Sequence, residues 1–505
     1  MMFTTPVLEY NLLAPMLIVL GGALLGVLVE GFVSRRYRAR IQIVIALLSV
    51  ATAFAWVISI RKERSQVAAI NSVSIDGGGL FLQGSILALA FVALLFFTQN
   101  DHFAAQASAL PGSVEEAEAI RAGVQMTEIY PLVLFAISGM LLFPVAHDLI
   151  TLFVALEVLS IPLYIITGLA RRRRLLSQEA ALKYFLLGAY SSAFFLFGGA
   201  LLYGFSGSLS LGVIRSAAST SGSNHVFLFL GVLFISVGLL FKVGAVPFHS
   251  WTPDVYQGAP TAVTGFMAAC TKVAAFGAMF RIFIVAFQAI QSDWRPIFVA
   301  ISIVTMLGGA IAAISQRDVK RTLAYSSITH AGFLMAGVIA LSKAGLTSMM
   351  FYLVAYGFAT IGAFGIVSLV RDSTGEVGDL NRWAGLAKKS PGVAAAFSLF
   401  LLSFGGVPLT AGFIAKFSIF TAAYASGNIA IVVVGVISSA IALFFYLRVV
   451  LIMFFREPTD DTVTVAIPSF MVATGIVICF VITLVLGVYP NLLFNLADTM
   501  TALVP

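Results

Sequence analysis

The sequence predicts an all-α polytopic membrane protein with fourteen transmembrane helices, of which the seventh and twelfth are broken. Three observations carry this. Of 505 residues, 60% are apolar and 10% charged, where an ordinary soluble domain has roughly 25% charge. Apolar runs of spanning length recur along the chain, and mean hydropathy is +1.03. The basic residues between those runs gather on alternate loops. Such a composition excludes a soluble enzyme, a nucleic-acid binder and a disordered chain. The net charge of +7 (29 basic, 22 acidic) is therefore read loop by loop.

A spanning helix needs about 20 largely apolar residues, and helix is the form that satisfies its own backbone within lipid. Runs at 11–33, 41–60, 78–98, 129–146, 149–170, 179–204 and 225–249 meet this criterion. So do 260–287, 296–315, 322–341, 345–370, 391–425, 428–455 and 467–490. No basic region precedes 11–33, so it reads as a span and not a cleavable signal peptide. Cys270 and Cys479 lie far apart in apolar runs and form no metal or cluster spacing. There is no GxGxxG fingerprint and no phosphate-binding loop.

Fourteen spans put both termini on one side. Alternate loops then hold seventeen basic residues, among them Arg35, Arg36, Arg38, Arg40, Arg171 to Arg174, Lys320 and Arg321. The opposite loops hold six: Arg61, Lys62, Arg64, Arg215, Arg295 and Lys343. The positive-inside rule places both termini outside the cytoplasm. Arg171–Arg174 reads as a topology anchor. The acidic loop at 99–128 reads as a solvated insertion, and a short surface helix capped by Ser113 is the alternative. His147 and Asp148, in a short loop, read as solvated.

Six basic residues fall inside spans: Lys183, Lys242, Lys272, Arg281, Lys416 and Arg448. Arg281 and Arg448 lie toward span ends and can snorkel, as can Lys183, one turn inside span 6. Lys242, Lys272 and Lys416 are deeper, and so is Glu157 in span 5. Facing lipid, each would cost about 2.5–3.5 kcal/mol, so they are expected in a wet or paired interior. The competing reading is a buried ion pair that only locks helices together. Desolvation lowers a lysine's hold on its proton and a nearby carboxylate restores it, which suits proton handling. Glu157 is the expected counter-charge for Lys183 or Lys242. Lys272 and Lys416 would continue the route.

Span 7 reads "LLFKVGAVPFHSWTPD" and span 12 "LLSFGGVPLTAGFIAKF". Each has glycine and then Val-Pro, a combination that interrupts a helix. Breaks at membrane depth need protein or water to satisfy the freed carbonyls. Two such breaks five spans apart predict two five-helix repeats, the second inverted. The expected units are 1–128 (spans 1–3 and the acidic loop), 129–290 (first repeat), 291–455 (second repeat) and 456–505 (span 14). His249, beside the first break, and His330, in span 10, titrate near neutral pH. Neither has a metal-ligating partner at i, i+4. Thr261, Tyr256, Tyr325, Ser326 and Ser327 can support water chains.

The strings "DLITLFVALEVLSIPLYIITG", "EAALKYFLLGAYSSAFFLFG", "FKVGAVPFHSWTPDVYQGAPTAVTGFMAACTKVAAF", "QRDVKRTLAYSSITHAGF" and "GVPLTAGFIAKF" resemble a known family. This is the antiporter-like membrane subunits of proton-pumping NADH:quinone oxidoreductase (respiratory complex I, type 1 NADH dehydrogenase). The resemblance covers residues 129–455 most strongly and is nearest to subunit N, called subunit 2 in mitochondria. It implies proton-transfer roles for Glu157, Lys183, Lys242, Lys272, Lys416, His249 and His330. It also implies a translocase subunit that binds no cofactor itself. NADH, FMN, Fe–S clusters and quinone are then expected on other subunits, which with the lipid bilayer are its partners in a bacterial cell membrane. The family also contains subunits of multi-subunit cation/proton antiporters and membrane-bound hydrogenases, which is the alternative reading. Lys416 favours subunit N over subunit M, which carries glutamate there. Subunit L has a long lateral helix after its core, whereas this sequence stops at Pro505.

Overall fold

The structure is a computed structural model. It describes all residues except 1–7, 64, 100–113, 115–117, 119–125, 171–173, 221–224, 373–374, 459–462 and 505. The Arg171–Arg173 part of the basic run, and nearly all of the alternative surface helix after Ser113, lie outside the described residues.

The chain is mostly helical. Its helices are α1 (Tyr10–Phe32), α2 (Arg35–Ile60), α3 (Gly77–Phe97), α4 (Ile129–Leu142), α5 (Leu149–Thr167) and α6 (Arg174–Ser206). There follow α7 (Leu211–Ala218), α8 (His225–Val243), α9 (Trp251–Gly258), α10 (Thr261–Val285), α11 (Gln291–Ile314) and α12 (Val319–Ala340). The last are α13 (Lys343–Val367), α14 (Pro391–Gly405), α15 (Ala411–Ala425), α16 (Ile429–Phe455), α17 (Phe470–Val488) and α18 (Asn491–Thr499). Among the described residues, twelve helices are long and apolar enough to cross a membrane, with α4, α14 and α15 as shorter apolar helices. Each run read from the sequence finds its helix here, and the run 391–425 becomes the pair α14–α15.

Small sheets tie loops together. β1 (Gln66–Ala68) pairs antiparallel with β2 (Val73–Ile75) between α2 and α3. β3 (Val370–Asp372) is flanked by β4 (Gly375–Glu376) and β5 (Thr464–Val465), with Arg371 opposite both Glu376 and Thr464.

Burial is graded from the centre outward. The apolar windows of α10, α12 and α13 are each 94% buried, against 28% for α2. A helix apolar all round belongs in a core or in lipid. Here the three central helices also carry buried polar side chains, among them Lys272, Arg281, Lys320 and His330, which need protein partners at that depth. Neighbours recur between two sets of helices. In the first, α4 packs on α5, α5 on α6, and α6 on both α8 and α9. In the second, α11 packs on α12, α12 on α13, and α13 on both α14 and α15.

Both predicted breaks are present and are built alike. α8 ends at Val243 and is followed by Gly244 with φ +75°. α14 ends at Gly405 and is followed by Gly406 with φ +80°. The Ala245 amide donates to Leu240 O at 2.9 Å, and the Val407 amide to Leu402 O at 3.0 Å. This is the bonding of a Schellman cap, for which a left-handed glycine is the natural residue. Val-Pro then prevents the helix from resuming at once.

Arg281 does not snorkel. It is fully buried and forms two 2.8 Å bonds to Asp76, while its Nε donates to Pro144 O at 2.6 Å. Asp76 also caps α3 through the Gly79 amide and accepts from the Val504 amide. Arg448 instead bonds Ile314 O at 2.9 Å. His147 is not solvated: it is buried and shares a 3.0 Å bond with Ser74 Oγ. Asp148 caps α5 through the Thr151 amide and hydroxyl.

Candidate functional site

A series of buried lysines crosses the middle of the molecule. Lys242, in the last turn of α8, donates to Ser160 Oγ at 2.7 Å and faces the Tyr184 ring. Ser160 lies one turn beyond Glu157 on α5. Glu157 therefore acts on Lys242 by Coulomb attraction, without a direct ion pair. One Glu157 oxygen is buried with no hydrogen-bond partner.

Lys272 comes next. It follows a π-helical turn, Met267–Thr271, within α10, an irregularity frequent at functional sites. Its Nζ donates to Ser327 O at 2.7 Å and to Val243 O at 3.4 Å, the carbonyl beside Lys242. Tyr256 and Ser327 hydroxyls lie 3.3 Å apart. One turn further along α12, His330 Nδ1 bonds Tyr352 OH at 2.7 Å and its Nε2 meets Tyr446 OH at 3.4 Å. Tyr446 also bonds Ser326. Lys272 and Lys416 are both within electrostatic reach of His330. Lys416, on α15, donates to Ser439 Oγ at 2.6 Å and to Gly405 O at 3.1 Å, and its Nζ lies 5.0 Å from the Phe333 ring centroid.

The two breaks thus do equivalent work. A broken helix leaves carbonyls unpaired at its negative end. Val243, at the end of α8, offers its carbonyl to Lys272, and Gly405, at the end of α14, offers its carbonyl to Lys416. An ammonium at such a carbonyl is satisfied without a carboxylate. That explains how Lys272 and Lys416 persist in an interior with few acids, while Lys242 is held by the Ser160 hydroxyl.

Lys183 lies elsewhere. Its side chain is 42% exposed and pairs with Glu179 at 2.6 Å and Asp254 at 2.8 Å, not with Glu157. Asp254, on the half-helix α9, also binds Arg321 of α12 at 2.7 Å. The cause is position: Lys183 sits in the early turns of α6, level with α9, whereas Glu157 is mid-way along α5. Nor is Glu157 the most deeply buried acid; it is half-buried, and Asp76 is more enclosed. His249 occupies the turn after the first break, half-buried, with its Nδ1 enclosed and unbonded. Thr261 stands apart from the lysine series, bonding Glu376 and Lys320. Among the described residues no group of three or more His, Cys, Asp or Glu could hold a metal ion.

Sequence reasoning missed Asp254, Ser160, Ser439 and Tyr446. Asp254 left a signal, being a carboxylate just after a proline break. Serines in apolar helices most often satisfy their own backbone, as Ser236 does here with Val232 O. Nothing in the sequence distinguishes Ser160 and Ser439 from them.

A bundle of spanning helices with two broken members, each break offering a carbonyl to a buried lysine, is the build of a polytopic membrane transport protein. A family profile described as "NADH:quinone oxidoreductase/Mrp antiporter, TM" matches residues 146–442. The chain belongs to this family, on its subunit N branch. It is 53% identical to NADH-quinone oxidoreductase subunit N of Rhodococcus opacus, with 98% of this chain and 96% of that protein covered. It superposes on a chain of respiratory complex I from Thermus thermophilus with TM-score 0.78 and 31% identity, covering 96% of this chain and 99% of that one. A chain of the Mrp complex from Dietzia sp. shares the fold, with TM-score 0.81 and 22% identity, covering 98% and 97%.

Proposed function

We propose that this chain is the subunit N of a proton-translocating NADH:quinone oxidoreductase and carries protons through its lysine series. The observation that carries this reading is the buried series Lys242, Lys272, His330 and Lys416. All four are buried, and each is held by hydroxyls or backbone carbonyls of neighbouring helices. Held this way, an amine can give up or regain a proton with no carboxylate fixing it. Glu157 biases the Lys242 end. Moving one charge against 100 mV costs about 2.3 kcal/mol, so quinone reduction on other subunits supplies the drive. Redox groups belong to those subunits.

Helices α4–α10 and α11–α16 form the two inverted repeats of this reading, supported by the matching neighbours and matching caps. In this reading both termini lie outside the cytoplasm of a bacterial cell, which the basic residues on alternate loops support. Lys183, Asp254 and Arg321 then stand at the cytoplasmic end, where they hold α6, α9 and α12 together and do not relay protons within the series.

The test is Lys242→Met in the assembled complex. Coupled turnover and proton pumping should fall severalfold while the complex still assembles. Unchanged pumping would remove Lys242 from the mechanism.

A further inference from the structure

We propose that the groove between α8 and α11 binds one acyl chain of a phospholipid whose headgroup bears an ammonium. A cavity of about 430 Å³ lies between these helices, within the size range of small-molecule sites. One wall runs from Phe229 to Leu240 and the other from Ile290 to Ile301, and Pro247 and Phe248 of the first break close the deep end.

Three features identify the occupant. The lining is almost entirely apolar, so the groove takes hydrocarbon and not a polar group. Each wall advances eleven residues, about 16 Å at 1.5 Å per residue. That is about half of the ~30 Å hydrocarbon layer, the depth of a single leaflet. The charged residue of the lining is Asp293, exposed in the first turn of α11 at the shallow end. It stands where a headgroup emerges, and its carboxylate complements an ammonium and opposes an anionic headgroup. Leu233 and Ile297, one on each wall, are about half exposed and open the groove sideways to the bilayer. A chain seated there packs on the Pro247 turn that follows Lys242. The inference does not rest on the proton-transfer reading.

The experiment uses the assembled complex in nanodiscs containing phosphatidylethanolamine with a diazirine on its acyl chain. After photolysis, labelled peptides are mapped by mass spectrometry. Residues 229–240 and 290–301 should carry at least threefold more label than the outward face of α6 around Leu186 and Tyr190, which are exposed on a plain helix surface. Leu233→Trp, or Ile297→Trp should the first fail to assemble, should reduce groove labelling to that of α6. Asp293→Asn should abolish the preference for the ethanolamine probe over its phosphatidylglycerol counterpart. Labelling equal to α6 in the unmodified complex, or none because a neighbouring subunit fills the groove, would overturn the proposal. An unchanged headgroup preference in Asp293→Asn would overturn the ammonium assignment.

Discussion

The Lys242 ammonium donates to Ser160 Oγ at 2.7 Å, one turn along α5 from Glu157. The helix that holds Lys242 through a hydroxyl thus carries the carboxylate one turn away, with no ion pair between the two. Such an arrangement is easier to switch than a locked ion pair, because exchanging Ser160 for a water or for Glu157 moves only one side chain. Ser160→Ala should remove a hydrogen bond to a charged group, of about 1.5–3 kcal/mol. Proton pumping in reconstituted vesicles should drop severalfold with assembly intact, and Ser160→Thr should restore part of it. Pumping equal to the unmodified complex in Ser160→Ala would show that the hydroxyl is dispensable.

The caps at the breaks are separately testable. Gly406 has φ +80°, and a β-carbon there would lie 3.0 Å from Lys416 Cδ. Gly406→Ala should therefore cost about 1–2 kcal/mol for the left-handed backbone and also displace the Lys416 side chain. At Gly392, in α14, an added β-carbon would point into open space with no other atom within 4 Å, so Gly392→Ala should be neutral. Comparing pumping and thermal stability of the two complexes checks this.

The Arg281–Asp76 pair predicts a loss of folding, not of chemistry. Removing one partner of a buried pair costs about 3–5 kcal/mol because a charge is left uncompensated. Arg281→Ala should also loosen the α3 cap and the Val504 contact, both of which use Asp76. Yield of assembled complex and its melting temperature should fall sharply. Arg281→Lys should rescue little, since lysine cannot supply the two-pronged contact.

His147 gives a pH dependence. Burial, and then the Arg281 cation, push its pKa below the ordinary histidine value. The unfolded chain therefore binds the proton more readily than the folded one. The stabilisation is complete above about pH 6.5 and declines as pH falls below it toward the lowered folded value. His147→Gln should flatten this part of the stability–pH curve measured by thermal unfolding. An identical slope in variant and parent would assign the pH dependence to another group.

Much of this was legible in the sequence, for physical reasons that can be named. Apolar runs reveal spans because lipid admits few alternatives. Gly244 with Pro247, and Gly406 with Pro408, reveal the breaks because few other residues stop a helix so reliably. Lys242, Lys272 and Lys416 stand out because charge is rare at that depth. Their acceptors were hidden, because Val243 O, Gly405 O and Ser327 O are backbone atoms that every residue possesses. The Asp76–Arg281 contact spans 205 positions, and no local pattern marks it. The π turn before Lys272 likewise leaves no signature in "MAACT".

The most direct test of the lysine series is the number of protons moved per electron by the reconstituted complex carrying Lys272→Ala. The matched control is Lys343→Ala, which breaks an exposed pair with Asp498 worth about 1 kcal/mol or less. The series predicts that the ratio falls in Lys272→Ala and is unchanged in Lys343→Ala. An unaltered ratio in Lys272→Ala, in a fully assembled complex, would contradict it.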